Sequence, residues 1–146
     1  FIENSFVKLA SSYYLVGLLE VVTFNFKQNL LNLFTVLVWF SSLAFIYFGV
    51  QCFYSKFIID EFKRYNLPKF RKLTGYLQLS GSVGLLVGFY YNPLILLLAS
   101  TGLCLLMLSG FAVRLKIKDN FIQSSPSFIF GALNLFIAFK TFYKYF

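Results

Sequence analysis

Histidine is absent from this chain, and acidic residues are scarce: five Asp and Glu stand against 13 Lys and Arg. Without imidazole there is no His-ligated haem, no His-based zinc site and no triad or acid–base scheme that depends on it. The two cysteines, Cys52 and Cys104, form no CxxC, which excludes the thiol-oxidoreductase motif. On the helices assigned below their depths differ by roughly 15 Å, too far for a disulfide. Asp60 and Glu61 are adjacent, point in different directions on a helix and form no paired-carboxylate site. Asp119 sits beside Lys116 and Lys118 and reads as their local charge partner. No phosphate loop, nucleophile–base pair or metal-ligand cluster is present, so no catalytic residue, cofactor or metal is expected. Charge of either sign is also short, at 12% of residues against about 25% in soluble domains.

What the chain has in excess is apolar surface. Hydrophobic residues make up 59% of its 146 positions, with 21 Phe and 10 Tyr. Its mean hydropathy is +0.75. That composition cannot furnish a water-facing surface and predicts an all-α, polytopic membrane protein. The net charge of +8 lies in short segments between apolar runs. Lipid head groups, not nucleic acid, are its expected partner.

A crossing helix needs roughly 20 apolar residues. Leu30 to Val50 meets that as span one. Residues 73–113 are uncharged over twice that length and are broken by Tyr90-Tyr91-Asn92-Pro93. Asn92 suits a cap and Pro93 a first helical residue. The stretch therefore predicts a helical hairpin, with spans at about 73–90 and 93–113. Ser125-Pro126 suggests the start of a fourth span, about 126–143. The predicted architecture is a compact four-helix transmembrane bundle, residues 28–146. Residues 1–27 form an N-terminal extension, with an uncharged run of only 11 residues between Lys8 and Glu20. That run predicts an interfacial helix or, as the alternative, an extra span. The start at Phe1 leaves processing open.

Between the first two spans, Ser55 suits a cap, and Ile58, Phe62 and Tyr65 share one helical face. Lys56, Asp60 and Arg64 follow another face, and Pro68 ends the segment. It predicts a short amphipathic helix in the head-group plane. Lys56, Lys63, Arg64, Lys69, Arg71, Lys72, Arg114, Lys116 and Lys118 fall in two basic loops and are expected to contact lipid head groups. With four spans these nine share one side, against four on the other. The positive-inside rule places both basic loops in the cytoplasm and the C-terminus outside, in a bacterial inner membrane.

Two sets of residues within the spans stand out. Gly81, Gly84 and Gly88 share a face and contain a GxxxG pattern, which serves close helix packing inside the bundle or against a partner. Gln78 and Asn134 are amides at membrane depth and need hydrogen-bond partners. They either bond between helices or form a polar wall for a quinone or small solute.

The run from Phe48-Gly49 through Glu61-Phe62, Arg64-Tyr65, Leu67-Pro68, Arg71 and Leu73-Thr74-Gly75 resembles the DoxX-like family. That family's pattern is FG-x-x-K-F, then EF-x-RYGLP-x-x-R-x-LTG, then a glycine-rich span. Gly81, Gly84, Gly88 and Met107 also fit, and the resemblance covers about residues 45–139. Two positions depart from the pattern: Cys52 stands where many members have Lys or His, and Gln78 where many have Glu. The resemblance implies a four-helix bundle without an agreed catalytic set, linked by name to quinone-reactive oxidase and thiosulfate-oxidising complexes. The expected role is a noncatalytic accessory subunit of a larger membrane complex, respiratory or secretory. The alternatives are a quinone-handling redox component and a small-solute transporter. The lack of charge at the bilayer centre and of a broken helix argues against transport.

Overall fold

The computed structural model describes residues 2–146, with side chains from Leu15 onward except Gln123. Five helices follow one another: α1 (Ile2–Tyr54), α2 (Lys56–Arg64), α3 (Phe70–Tyr91), α4 (Pro93–Lys116) and α5 (Phe121–Tyr145). No strand occurs among the described residues. The described residues group spatially into two units, one up to Val36 and the other from Leu37 to Phe146.

In the first unit α1 runs on without interruption past residue 27, the expected edge of the N-terminal extension. Glu20 and Lys27 do not stop it, since both are good helix formers. Thr23 returns its hydroxyl to the Glu20 carbonyl (2.9 Å) and Thr35 does the same to Leu31 (3.0 Å), so neither competes with the helix. Lys8, expected to bound this segment, lies outside the residues whose side chains are described.

The second unit is built on the hairpin that the Asn92-Pro93 step predicts. Asn92 leaves the helical region (φ −152°, ψ 114°), and its side-chain oxygen accepts the Leu94 N–H at 2.9 Å. Pro93 takes the first turn of α4, where its missing N–H costs nothing. α4 packs against both α3 and α5. The core residues Val38, Phe45, Leu85, Leu103 and Ile137 come from four helices and are at most 2% exposed. Phe130 of α5 meets Phe40, Phe45 and Phe48 of α1 at centroid distances of 5.9, 5.7 and 5.3 Å.

α5 begins five residues before Pro126, which corrects the expected start. Asn120 is the N-cap and Pro126 lies inside the helix. A proline there leaves the Ile122 carbonyl without its helical donor. The Ser125 hydroxyl supplies the bond instead, at 2.9 Å.

α2 and α4 both end on a left-handed residue that is not glycine. Asn66 (φ 58°) closes α2, with Leu67 N–H bonding to the Phe62 carbonyl at 3.0 Å. Lys118 (φ 59°) closes α4, with Asp119 N–H bonding to the Arg114 carbonyl at 3.1 Å. Both are Schellman closures. Asn66 stands where the motif writes Gly, and asparagine is among the residues that enter this region at least cost. The left-handed turn, not Pro68, ends α2.

Three helices are long and apolar enough to cross a membrane among the described residues: Leu15–Tyr54, Pro93–Lys116 and Ser124–Tyr145. α3 spans 22 residues, about 33 Å. Its Gly, Ser, Thr and Gln residues dilute its hydropathy, and several of them face inward, although Ser80 is exposed. Gly75, Gln78, Ser82 and Gly88 are buried, whereas Val83 and Tyr76 are exposed.

A polar-rimmed cavity beneath the amphipathic helix

The glycine face of α3 is packed within the bundle. A Cβ at Gly88 would lie 2.2 Å from the backbone nitrogen of Leu96, and one at Gly84 2.9 Å from the Ala99 Cβ. At Gly81 it would lie 2.6 Å from the Leu103 side chain. All three neighbours belong to α4, so this stripe joins the two arms of the hairpin. The motif glycines Gly49 and Gly75 do the same for α1 against α3. Gly49 faces Leu79, and Gly75 faces Phe53 and Cys52.

The two amides expected at membrane depth are also engaged. Asn134 is fully buried. Its oxygen accepts from Ser41 Oγ at 3.1 Å and its nitrogen donates to the Phe130 carbonyl at 2.9 Å. Ser42 donates to the Ser82 carbonyl at 3.0 Å. Among the described residues, every buried side-chain nitrogen or oxygen has a partner. Gln78 accepts from the Cys52 thiol at 3.6 Å. The two positions that depart from the motif therefore face each other, as an uncharged thiol–amide pair. Both cysteines are free thiols and buried.

Gln78 and Cys52, unlike Asn134, also border a cavity of about 700 Å³. α2 contributes its apolar face, Ile58, Phe62 and Tyr65. The face expected to meet lipid thus turns toward the bundle. α1 contributes Phe48, Gln51 and Cys52, and α3 contributes Thr74, Leu77 and Gln78. From α4 come Met107, Ser109 and Arg114, and from α5 Pro126, Ser127 and Phe130. The wall is chiefly hydrocarbon and aromatic, with a few amides and hydroxyls. A pocket of this kind suits an amphiphile.

An ion cluster fastens α2 to the α4–α5 turn. Arg64 grips Asp119 with both nitrogens, at 2.7 and 3.0 Å, and reaches Glu61 at 2.8 Å. Arg114 lies 3.7 Å from Glu61 and 3.6 Å from Asp119. Tyr65 donates its hydroxyl to Glu61 at 2.5 Å, and both guanidiniums lie near its ring. Burial, then the bond to Glu61, pushes the Tyr65 phenol up to about 12, so it remains a donor. Hydrogen bonds to Asp119 and then Glu61 raise the Arg64 pKa further. Asp119 is therefore not the local partner of Lys116 and Lys118, because the turn at Lys118 aims it at Arg64 and Arg114. Along α2 the pairs are also three apart, Asp60–Lys63 and Glu61–Arg64, in place of the expected spacing of four.

Of the nine basic-loop residues, Arg64 and Arg114 are held in this cluster. Arg71 caps α1 by donating to the carbonyls of Cys52 and Phe53. Lys56, Lys69, Lys72 and Lys118 border no part of the cavity. Lys63 reaches only the exposed Asp60, at 3.3 Å. Lys116 lies in the last turn of α4.

These features define a helical integral membrane protein with a half-open, largely apolar cavity. The profile of the DoxX-like family matches residues 34–137, and the chain belongs to that family. The match begins somewhat before the motif run, within the apolar part of α1. No curated protein and no solved structure matches the chain.

Proposed function

We propose that the chain is a noncatalytic, four-span subunit of a larger membrane complex that holds a membrane amphiphile for that complex, a quinone being the favoured occupant. The cavity beneath α2 is the observation that carries this reading. α3 is the fourth span: it carries no charge from Leu73 to Tyr91 and packs on α4. The packing of the glycine stripe inside the hairpin removes the local contact that would have favoured a partner's helix there. The quinone alternative gains in proportion, since Gln51, Gln78 and Arg114 offer donors to carbonyl oxygens.

The test is thermal unfolding of the purified full chain in mild detergent, with and without a decyl-tailed benzoquinone. The quinone is expected to raise the midpoint, and Gln78→Leu to weaken its binding about tenfold, the worth of one hydrogen bond. No stabilisation of the wild-type chain would sink the ligand reading. Recovery of a stoichiometric partner from the native membrane supports the assembly reading, and recovery of a bare monomer removes it.

The same reading places both basic loops in the cytoplasm of a bacterial inner membrane. Cysteine introduced at Lys63 or Lys118, with Cys52 and Cys104 replaced, is then expected to resist an impermeant maleimide in intact cells. Ready labelling at both sites would reverse the topology.

A further inference from the structure

We propose that the cavity selects amphiphiles with an uncharged, hydrogen-bonding head group, and that the Glu61–Arg114–Asp119 bridge sets this preference. The inference rests on the reading that the cavity holds an amphiphile, and it adds the charge class of that ligand. Arg114 is the single charged residue in the cavity wall among the described residues. Left alone, such a cation would draw a carboxylate or phosphate head group. It is not alone: Glu61 and Asp119 stand 3.7 and 3.6 Å from its Nη1, and neither borders the cavity. An anionic head group reaching Arg114 would meet these two carboxylates directly behind it. Asp119 is 4% exposed and Glu61 15%, so water screens that repulsion poorly. With Arg64 included, the cluster has two positive and two negative charges and no net charge. The other polar wall groups, among them Gln51, Gln78, Tyr65 and Ser127, are neutral. The exposed lysines of the basic loops attract anionic lipid to the surface but do not reach the cavity wall.

The experiment uses the full chain in mild detergent at about 0.15 M salt, which screens the surface lysines. The pH is about 8, where a carboxylic acid is ionised. Three amphiphiles share a decyl tail: monodecanoylglycerol, decylbenzoquinone and decanoate. Each is titrated against the thermal midpoint. Both uncharged amphiphiles, or either one, are expected to bind more tightly than decanoate. Which of the two wins identifies a glycerolipid or a quinone as the source. In Asp119→Asn the affinity for decanoate relative to the better uncharged ligand is expected to rise about tenfold. Glu61→Gln relieves the same bridge from the α2 side and gives the same reading if Asp119→Asn does not fold. Wild-type binding of decanoate as tight as that of the uncharged ligands overturns the inference. So does an unchanged ratio in a folded variant. Absence of binding by all three overturns the amphiphile reading itself, and the charge preference with it.

Discussion

Gly88→Ala is expected to be among the most damaging single-atom additions in the molecule. The new Cβ would stand 2.2 Å from the Leu96 nitrogen and 2.5 Å from its Cα. Both are backbone atoms in the first turns of α4, so no rotamer change relieves the clash. The two arms would have to separate where Asn92 N–H bonds to the Gly88 carbonyl at 3.2 Å, which opens the hairpin at its tip. Overpacking costs typically 1–3 kcal/mol, and an unyielding backbone puts this case near 3 kcal/mol. The thermal midpoint should fall by about 10 °C. Gly102→Ala is the control, because nothing lies within 4 Å of its added Cβ. Helix propensity alone predicts a gain of up to about 1 kcal/mol there. Equal midpoints for the two variants would refute the close approach of α3 and α4.

Arg71→Ala is expected to give the second large loss. The last carbonyls of a helix have no intrahelical donor. At the end of α1 the Arg71 guanidinium reaches two of them, Cys52 and Phe53, across from the first turn of α3. Truncation leaves part-buried acceptors without this charged donor, at a cost of about 2 kcal/mol. The α1–α2 junction should exchange its amide hydrogens faster. Lysine keeps the charge but not the fork, so Arg71→Lys should recover only part of the loss. Unchanged exchange at residues 52–58 in the alanine variant would show that the contact contributes nothing.

Much of the fold is legible in short-range signals. Asn92-Pro93 carries its own cap and first turn, and the hairpin forms there. The spacing of Ile58, Phe62 and Tyr65 puts these residues on one face of α2. What that face meets is a longer-range matter, because the cavity wall draws on five helices and no local pattern encodes it. Asp119 shows the same limit. Two lysines lie beside it in sequence, yet its partner Arg64 lies 55 positions away. Charge spacing shows who is adjacent along the chain, while the left-handed Lys118 decides where the carboxylate points. Pro126 misled for a different reason: a serine hydroxyl one residue earlier repairs the bond that the proline deletes. Glu20 and Lys27 read as boundaries because charge interrupts a hydropathy run, although it does not interrupt a helix. The glycine stripe is legible as a packing face, but no local pattern encodes that α4 is the helix it meets.

On the four-span reading proposed above, the composition of α3 bears on how the protein enters the bilayer. Insertion machinery weighs each emerging segment by its own apolarity. Alone, α3 presents Gln78, three serine and threonine hydroxyls and four glycines, a marginal candidate for release into lipid. α4, which follows after a single residue, is strongly apolar and covers Gly81, Gly84 and Gly88. The two are therefore suited to partition together as one helical hairpin. A chain truncated before Leu96 would leave α3 without its neighbour, with Gly81, Gly84 and Gly88 uncovered.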